Sequence, residues 1–377
     1  MATSFKYISA DSHVVEPPDL WLKRIDRRYL DRAPRVVREA DSDYFVVEGM
    51  GRPKLGIGTV SSAEKKPEAI TMEERWENVR PGGYDPFERI KDMDRDGVEA
   101  ELLYPTFGLF LFSQADLDFQ FACYQAFNDW LANFCSSFPK RLFGVGIIPS
   151  EPADRAMAEM DRITKIGRGP GPSLRAAMIS VRPAEGKGYD HPMYDPIFSQ
   201  AEALGMPLSL HLAASKRSFA YTGNRLVDFA LGFTPAMYSI ALMIFSGVFD
   251  RHPKLKIASV ENDAAWAAVM MERMDQRYER DRFLMASSNR ITSGRLPSQQ
   301  FREHVYCTFM RDHTAVRNRE YIGVENILWG SDYPHQDSTW PNSAKVLSEH
   351  FEGIPEEDRR KIARRNAIKL YNLPLDP

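Results

Sequence analysis

Ile8-Ser9-Ala10-Asp11-Ser12-His13 reads as a short apolar strand ending on a carboxylate and an imidazole two residues apart. Strand side chains alternate between faces, so positions 11 and 13 point the same way and can grip one ion. Asp with His suits a divalent metal of the zinc or manganese type better than calcium, which takes oxygen ligands throughout. By itself the pair reads as readily as a turn carboxylate beside a surface histidine. Further ligand-grade residues stand at His211 in Leu208-Ser209-Leu210-His211-Leu212, at Glu261, at Asp332 in Trp329-Gly330-Ser331-Asp332, and at His335. An imidazole among apolar residues also fits a core group bonded to a carbonyl. A carboxylate behind an apolar strand needs a cation or donors, unless it caps the next helix.

These residues can meet only if the fold gathers distant stretches at one end. Strand-like runs occur at 8–13, 100–105, 142–149, 176–181, 206–211, 256–261, 304–309 and 326–332. Helical patterns separate them, over 86–97, through a long stripe of Phe119, Cys123, Phe127, Trp130, Leu131 and Phe134, over 151–166, and up to Ala203. Alternation of this kind predicts an α/β fold, a (β/α)8 TIM barrel with an insertion after the first strand and C-terminal helices. The irregular stretch 41–84 is the insertion, and the chain 1–377 reads as a single domain. No Gly-x-Gly-x-x-Gly follows a strand, which removes the main support for nucleotide binding. Barrel sites lie at the C-terminal ends of the strands. Asp11 and His13 fall there on the first strand, His211 on the fifth, Glu261 on the sixth, and Asp332 with His335 on the eighth. Three of the chain's 8 histidines thus share one rim.

The composition is that of a globular protein with a sizeable core, 43% hydrophobic and 27% charged. Lys+Arg 49 against Asp+Glu 52 leaves a net charge of −3, which argues against nucleic acid or anionic membrane as a general partner. Cys123, Cys135 and Cys307 are scattered and form no Cys-x-x-Cys, so neither a disulfide framework nor a thiolate zinc site is implied. The first residues do not read as a secretory signal, and the apolar stretch around 236–248 reads as too short to cross a bilayer. The expectation is a cytoplasmic protein.

Asp11-Ser12-His13, the lone His211, Gly330-Ser331-Asp332-Tyr333-Pro334 and the closing 361–371 stretch together resemble amidohydrolase family 2. This is the branch of the metal-dependent amidohydrolases that holds aminocarboxymuconate semialdehyde decarboxylase and the resorcylate-type and carboxyvanillate decarboxylases. The resemblance runs from Ile8 to Leu373, outside the insertion. It implies a single divalent ion, zinc first and manganese second, held by Asp11, His13, His211 and Asp332, and it implies a homodimer. The sequence departs from the family at the sixth strand, where relatives carry a histidine and this chain has Glu261.

A bound ion can polarise a substrate oxygen or activate water. The resemblance implies non-oxidative decarboxylation of a small acid, aromatic by preference, with Asp332 delivering the proton; Glu261, in place of the family's histidine, and His335 beside Asp332 are read from their positions as further catalytic residues. The alternatives are hydrolysis of an amide, ester or C–C bond, and a barrel that binds small molecules without catalysis. Arg182 could pair with a substrate carboxylate, with Tyr104, Phe107, Trp266 and Trp340 as an aromatic wall. The stretch 213–234, holding Lys216, Arg217, Tyr221 and Arg225, is long enough for a lid. Met237, Tyr238, Met243, Phe245 and the methionines of 270–274 offer an oligomer surface, although the same pattern fits helices packed on the barrel.

Overall fold

Chain order gives β1 (Tyr7–His13), an antiparallel hairpin of β2 (Arg35–Arg38) and β3 (Asp43–Val46), and then β4 (Val98–Tyr104), β5 (Leu142–Ile147), β6 (Leu174–Ile179), β7 (Leu208–His211), β8 (Ile257–Val260), β9 (Val305–Phe309) and β10 (Ile327–Trp329). The computed structural model describes residues 6–54, 63–169, 171–183, 186–216 and 222–376. All strands but the hairpin pair in parallel in the order β1-β4-β5-β6-β7-β8-β9-β10. These are the eight strands expected from the apolar runs, and helices cover them as a barrel requires.

The barrel closes where β10 meets β1. Just past the end of β10, Asp332 donates its N–H to Asp11 O at 2.8 Å and His13 donates to Tyr333 O at 2.7 Å. The approach is so close that a Cβ on Gly330 would lie 2.5 Å from the Asp11 Cβ, so only glycine fits there. The seam that closes the barrel therefore also sets two candidate ligands side by side.

β1 carries one extra residue against its neighbour: Ser9 faces Glu101 and Ser12 faces Leu103. Such a bulge re-aims side chains near a site. Hydroxyls stitch it, with Ser9 Oγ bonded to Asp11 O (2.9 Å) and to Ser12 Oγ (2.8 Å), and Ser12 Oγ bonded to Ser331 Oγ across the seam (2.9 Å).

The helix Pro86–Asp96 begins where Asp85 accepts the N–H groups of Phe87 (2.8 Å) and Glu88 (3.3 Å), and it ends at Gly97 in the left-handed region. The helix Leu117–Ser136 buries Phe119, Cys123, Phe127, Leu131 and Phe134 as its stripe predicts. The irregular excursion expected over 41–84 starts earlier, with the hairpin at Arg35, and 55–62 within it lie outside the described residues. Its Phe45 stacks on Phe107 at 4.6 Å, tying the hairpin to the loop after β4.

One expectation about surface is corrected. Met243, Met270, Met271 and Met274 are buried in the helix layer, so they pack the barrel; Tyr238 does remain exposed. The run Arg225–Phe245 is long and apolar enough, by length and composition, to match a membrane span. It is broken into the helices Arg225–Ala230 and Thr234–Phe245, and the second turns Ala236, Ile240, Met243 and Ile244 into the core.

Candidate metal centre

β1, β7 and the turn after β10 bring their side chains together around His13. His13 Nε2 lies 3.2 Å from His211 Nε2, 3.6 Å from Asp11 Oδ1 and 3.4 Å from Asp332 Oδ1. His211 Nε2 is 3.6 Å from Asp11 Oδ1 and 3.4 Å from Glu261 Oε2. Asp11, His13 and His211 form one buried group of side chains able to hold a metal, and His13, Asp332 and His335 form another.

The polar atoms show what this cluster needs. His13 Nδ1 sits 2.8 Å from Pro105 O and His211 Nδ1 sits 2.7 Å from Leu212 O. A carbonyl only accepts, so each Nδ1 carries the proton and each neutral Nε2 carries a lone pair. With both rings neutral, two lone pairs would face each other at 3.2 Å and repel unless a proton or a cation lies between them. Both oxygens of Asp11 are buried without a hydrogen-bond partner. Buried carboxylates in that condition are costly. The donor set of two imidazole nitrogens and carboxylate oxygens fits a zinc- or manganese-type ion.

Charge and burial pull the two imidazoles of the cluster apart and raise its Glu261 and Asp332 carboxyls. Burial, with His335 and His211 alongside, holds His13 well below the usual imidazole range. At His211 burial opposes charge but is outweighed by Asp11 and Glu261, and the group is raised. Burial first, then the Asp332 charge, raises Glu261; burial and then Asp11 raise Asp332. Carboxylates crowded in this way favour their protonated forms.

The backbone is strained at the same rim. Among the described residues, the non-glycine positions at positive φ are Ala213, Glu261, Asp263, Asp332 and Asn372. The first four follow the ends of β7, β8 and β10, where such strain of about 1–3 kcal/mol each is characteristic of functional sites. Glu261 is steadied by its N–H donating to Thr308 Oγ1 at 2.9 Å.

His335 joins the cluster: its Nδ1 lies 2.9 Å from Asp332 Oδ1, its Nε2 3.0 Å from Thr106 Oγ1, and its ring 4.0 Å from that of His13. Tyr104 lies beneath the centre, fully buried, its ring 4.9 Å from His211 and its hydroxyl 3.0 Å from Ser209 Oγ, so it forms floor and not wall. Phe107 is buried against Phe45. Trp266 and Trp340 are engaged elsewhere. Trp266 donates to Asn262 O and Asp263 O and packs against Phe301. Trp340 donates to Asp92 O and carries the guanidinium groups of Arg80 (4.1 Å) and Arg95 (4.7 Å). Trp340 also packs edge-on against Tyr333 at 5.3 Å, beside Asp332.

Arg182 follows β6 and lines a cavity of about 610 Å³ with Lys187, Asp190, Thr234 and Tyr238, between its own loop and the helix Thr234–Phe245. Of the expected lid, Arg217 and Tyr221 lie outside the described residues, and Lys216 pairs with Glu151. Arg225 Nη1 reaches Met72 Sδ at 3.7 Å, so this segment touches the excursion after β1. Sequence reasoning missed Thr106 and also Glu16, which is buried and accepts the N–H groups of Phe107 (2.9 Å) and Gly108 (2.8 Å). A carboxylate three residues past His13 was the available signal, but its partners come from another strand's loop.

A family model described as amidohydrolase matches residues 11–373. Gamma-resorcylate decarboxylase of Rhizobium sp. (strain MTP-10005) is 28% identical over 264 residues, 65% of this chain and 75% of that protein. The 2-amino-3-carboxymuconate-6-semialdehyde decarboxylase of Dictyostelium discoideum is 27% identical over 307 residues, 78% of each chain. Among solved structures, an amidohydrolase from Mycobacterium avium subsp. paratuberculosis K-10 has the same fold, with a TM-score of 0.76 at 22% identity over 98% of this chain and 100% of that one.

Proposed function

The chain belongs to the amidohydrolase family, and from that membership we propose that it is a metal-dependent, non-oxidative decarboxylase of a small carboxylic acid, aromatic by preference. The observation that carries the reading is a pair of buried ligand-grade groups that share His13, Asp11 with His211 on one side and Asp332 with His335 on the other, and the unpartnered oxygens of Asp11, in a chain whose curated relatives include decarboxylases.

When bound, a divalent ion would neutralise these carboxylates and polarise the oxygens of an ortho-hydroxy carboxylate. Asp332 carries the proton. It passes that proton to the carbon bearing the carboxylate; the C–C bond to the carboxylate then breaks, its electron pair stays with the carbon skeleton, and carbon dioxide leaves. His335, with Nδ1 2.9 Å from Asp332 Oδ1 and its far nitrogen at Thr106, orients the acid. Glu261 faces the same centre and accepts the proton of the substrate hydroxyl. Arg182, on the rim beside β6, draws in the anionic substrate.

Glu261 also favours a second reading, hydrolysis, because a carboxylate 3.4 Å from His211 Nε2 is placed to take a proton from water. Incubation with ortho-hydroxybenzoates in heavy water separates the two. The decarboxylase releases carbon dioxide and leaves one deuterium on the product carbon, with no oxygen from labelled water in the product. Labelled oxygen in the product without carbon dioxide release would overturn the proposal.

The resident ion is proposed to be zinc, with manganese the alternative on the same donors. The chain is proposed to act as one barrel domain over 1–377, and as a homodimer. Exposed Phe283, Leu284 and Met285 beside an apolar cavity of about 450 Å³ lined by Phe245, Tyr278 and Met285 support the pairing. A cytoplasmic location is proposed, in keeping with three buried free thiols.

A further inference from the structure

We propose that Arg89, acting with Glu101, is a positioning residue for the metal centre, holding the ligand-bearing ends of β1 and β10 at the separation one ion requires; this rests on the metal-dependent reading above. Arg89 lies on the helix Pro86–Asp96, outside the barrel wall, and is fully buried.

It reaches three parts of the seam. Nη1 donates to His13 O at 2.7 Å, fixing the backbone of one candidate ligand. The guanidinium lies 4.4 Å from the ring centre of Tyr333, the residue after another candidate ligand. Nε donates to Glu101 Oε2 at 2.6 Å, and the other oxygen of Glu101 accepts from Ser12 Oγ at 3.1 Å. Ser12 is in turn bonded to Ser331 across the seam at 2.9 Å. One side chain thus grips the residue bearing His13, the residue following Asp332, and the hydroxyl stitch between them.

Stability alone does not account for this arrangement. Desolvating a guanidinium and a carboxylate costs several kcal/mol per ion, and well-packed apolar residues of similar volume are often as stable or more so. Arg89 Nη2 is moreover left without a hydrogen-bond partner. What the pair supplies that apolar residues cannot is direction, since a planar fork fixes the carbonyl, the carboxylate and the ring in one geometry. Groups that orient metal ligands in this way are typically worth about 10–100-fold in metal affinity.

The test uses the full chain, stripped of metal and titrated with Mn²⁺ alone, with the melting temperature and the visible spectrum of the Co²⁺-loaded protein as companion readings. The double variant Arg89→Met/Glu101→Leu removes both charges together, so no buried charge is stranded. It is expected to melt within a few degrees of wild type, to bind Mn²⁺ at least about tenfold more weakly, and to shift the Co²⁺ bands. Arg89→Lys keeps the charge but not the fork, and is expected to weaken Mn²⁺ binding as well. Ser12→Ala leaves the ion pair in place but removes the donor to Glu101 and the Ser12–Ser331 bond, while Ser9 still reaches Ser331 at 3.1 Å; it should weaken Mn²⁺ severalfold, which keeps the proposal testable if the double variant does not fold. Mn²⁺ affinity and Co²⁺ bands unchanged in a folded variant would overturn the proposal. A wild-type chain that takes up neither Mn²⁺, Zn²⁺ nor Co²⁺ would instead bring down the functional reading itself.

Discussion

Asp11 has both carboxylate oxygens buried without a hydrogen-bond partner, which makes it a liability without an ion and an asset with one. Asp11→Asn is therefore expected to melt at or above wild type when both are metal-free, yet to lose most of the rise in melting temperature that Zn²⁺ gives wild type. Calorimetric scans with and without Zn²⁺ check both halves, and a metal-free variant several degrees below wild type would contradict the account. Glu16 gives a second prediction, in pH. Burial outweighs its backbone hydrogen bonds and pushes it from about 4.5 to about 7. The folded chain then holds a proton that the unfolded chain has released. The stability Glu16 contributes is full below about pH 4.5 and is lost as pH rises to about 7. Relative to Glu16→Gln, wild type should lose up to about 3 kcal/mol over that window, read from urea melts at stepped pH. The Asp-x-His pair and Asp332 were legible because charged groups at the ends of apolar strands stand out in a sequence. Thr106 and Glu16 were not, because each acts through a partner on a different strand's loop.

At the scale of elements, the strands were legible from their apolar runs, and Leu208–His211 ends where the sequence places it. The bulge in β1 was not, since the extra residue shows only against the register of β4. Nor was the seam, where a glycine among apolar residues becomes a requirement only once Asp11 lies against it. Gly330→Ala drives a Cβ to 2.5 Å from the Asp11 Cβ. It is expected to cost about 1–3 kcal/mol and to weaken Zn²⁺ binding, since the displaced residue is a candidate ligand. Asp116→Ala is the contrasting control. It removes the cap of the helix Leu117–Ser136, where Asp116 accepts the N–H groups of Asp118 and Phe119 at 3.1 Å, so it should cost about 1 kcal/mol by urea denaturation while Zn²⁺ affinity stays within twofold. What the sequence does not show for Trp266 and Trp340 is what holds them: their indole N–H groups bind the backbone carbonyls of Asn262 and Asp92.

At the scale of the whole molecule, the barrel accounts for the site by bringing residues more than 300 positions apart, Asp11 and Asp332, to a common backbone hydrogen bond. The exposed Phe283 and Leu284 should bury against a second copy, so Leu284→Glu is expected to shift the chain toward monomer in sedimentation without lowering metal content. The central claim is that Asp11, His13, His211 and Asp332 share one cation. Anomalous diffraction from crystals of the Zn²⁺-loaded protein, collected across the zinc edge, tests it most directly. The account predicts a single strong peak about 2.0–2.2 Å from a donor atom of each of the four side chains. A peak elsewhere in the chain, or none at the mouth of the barrel, would contradict it.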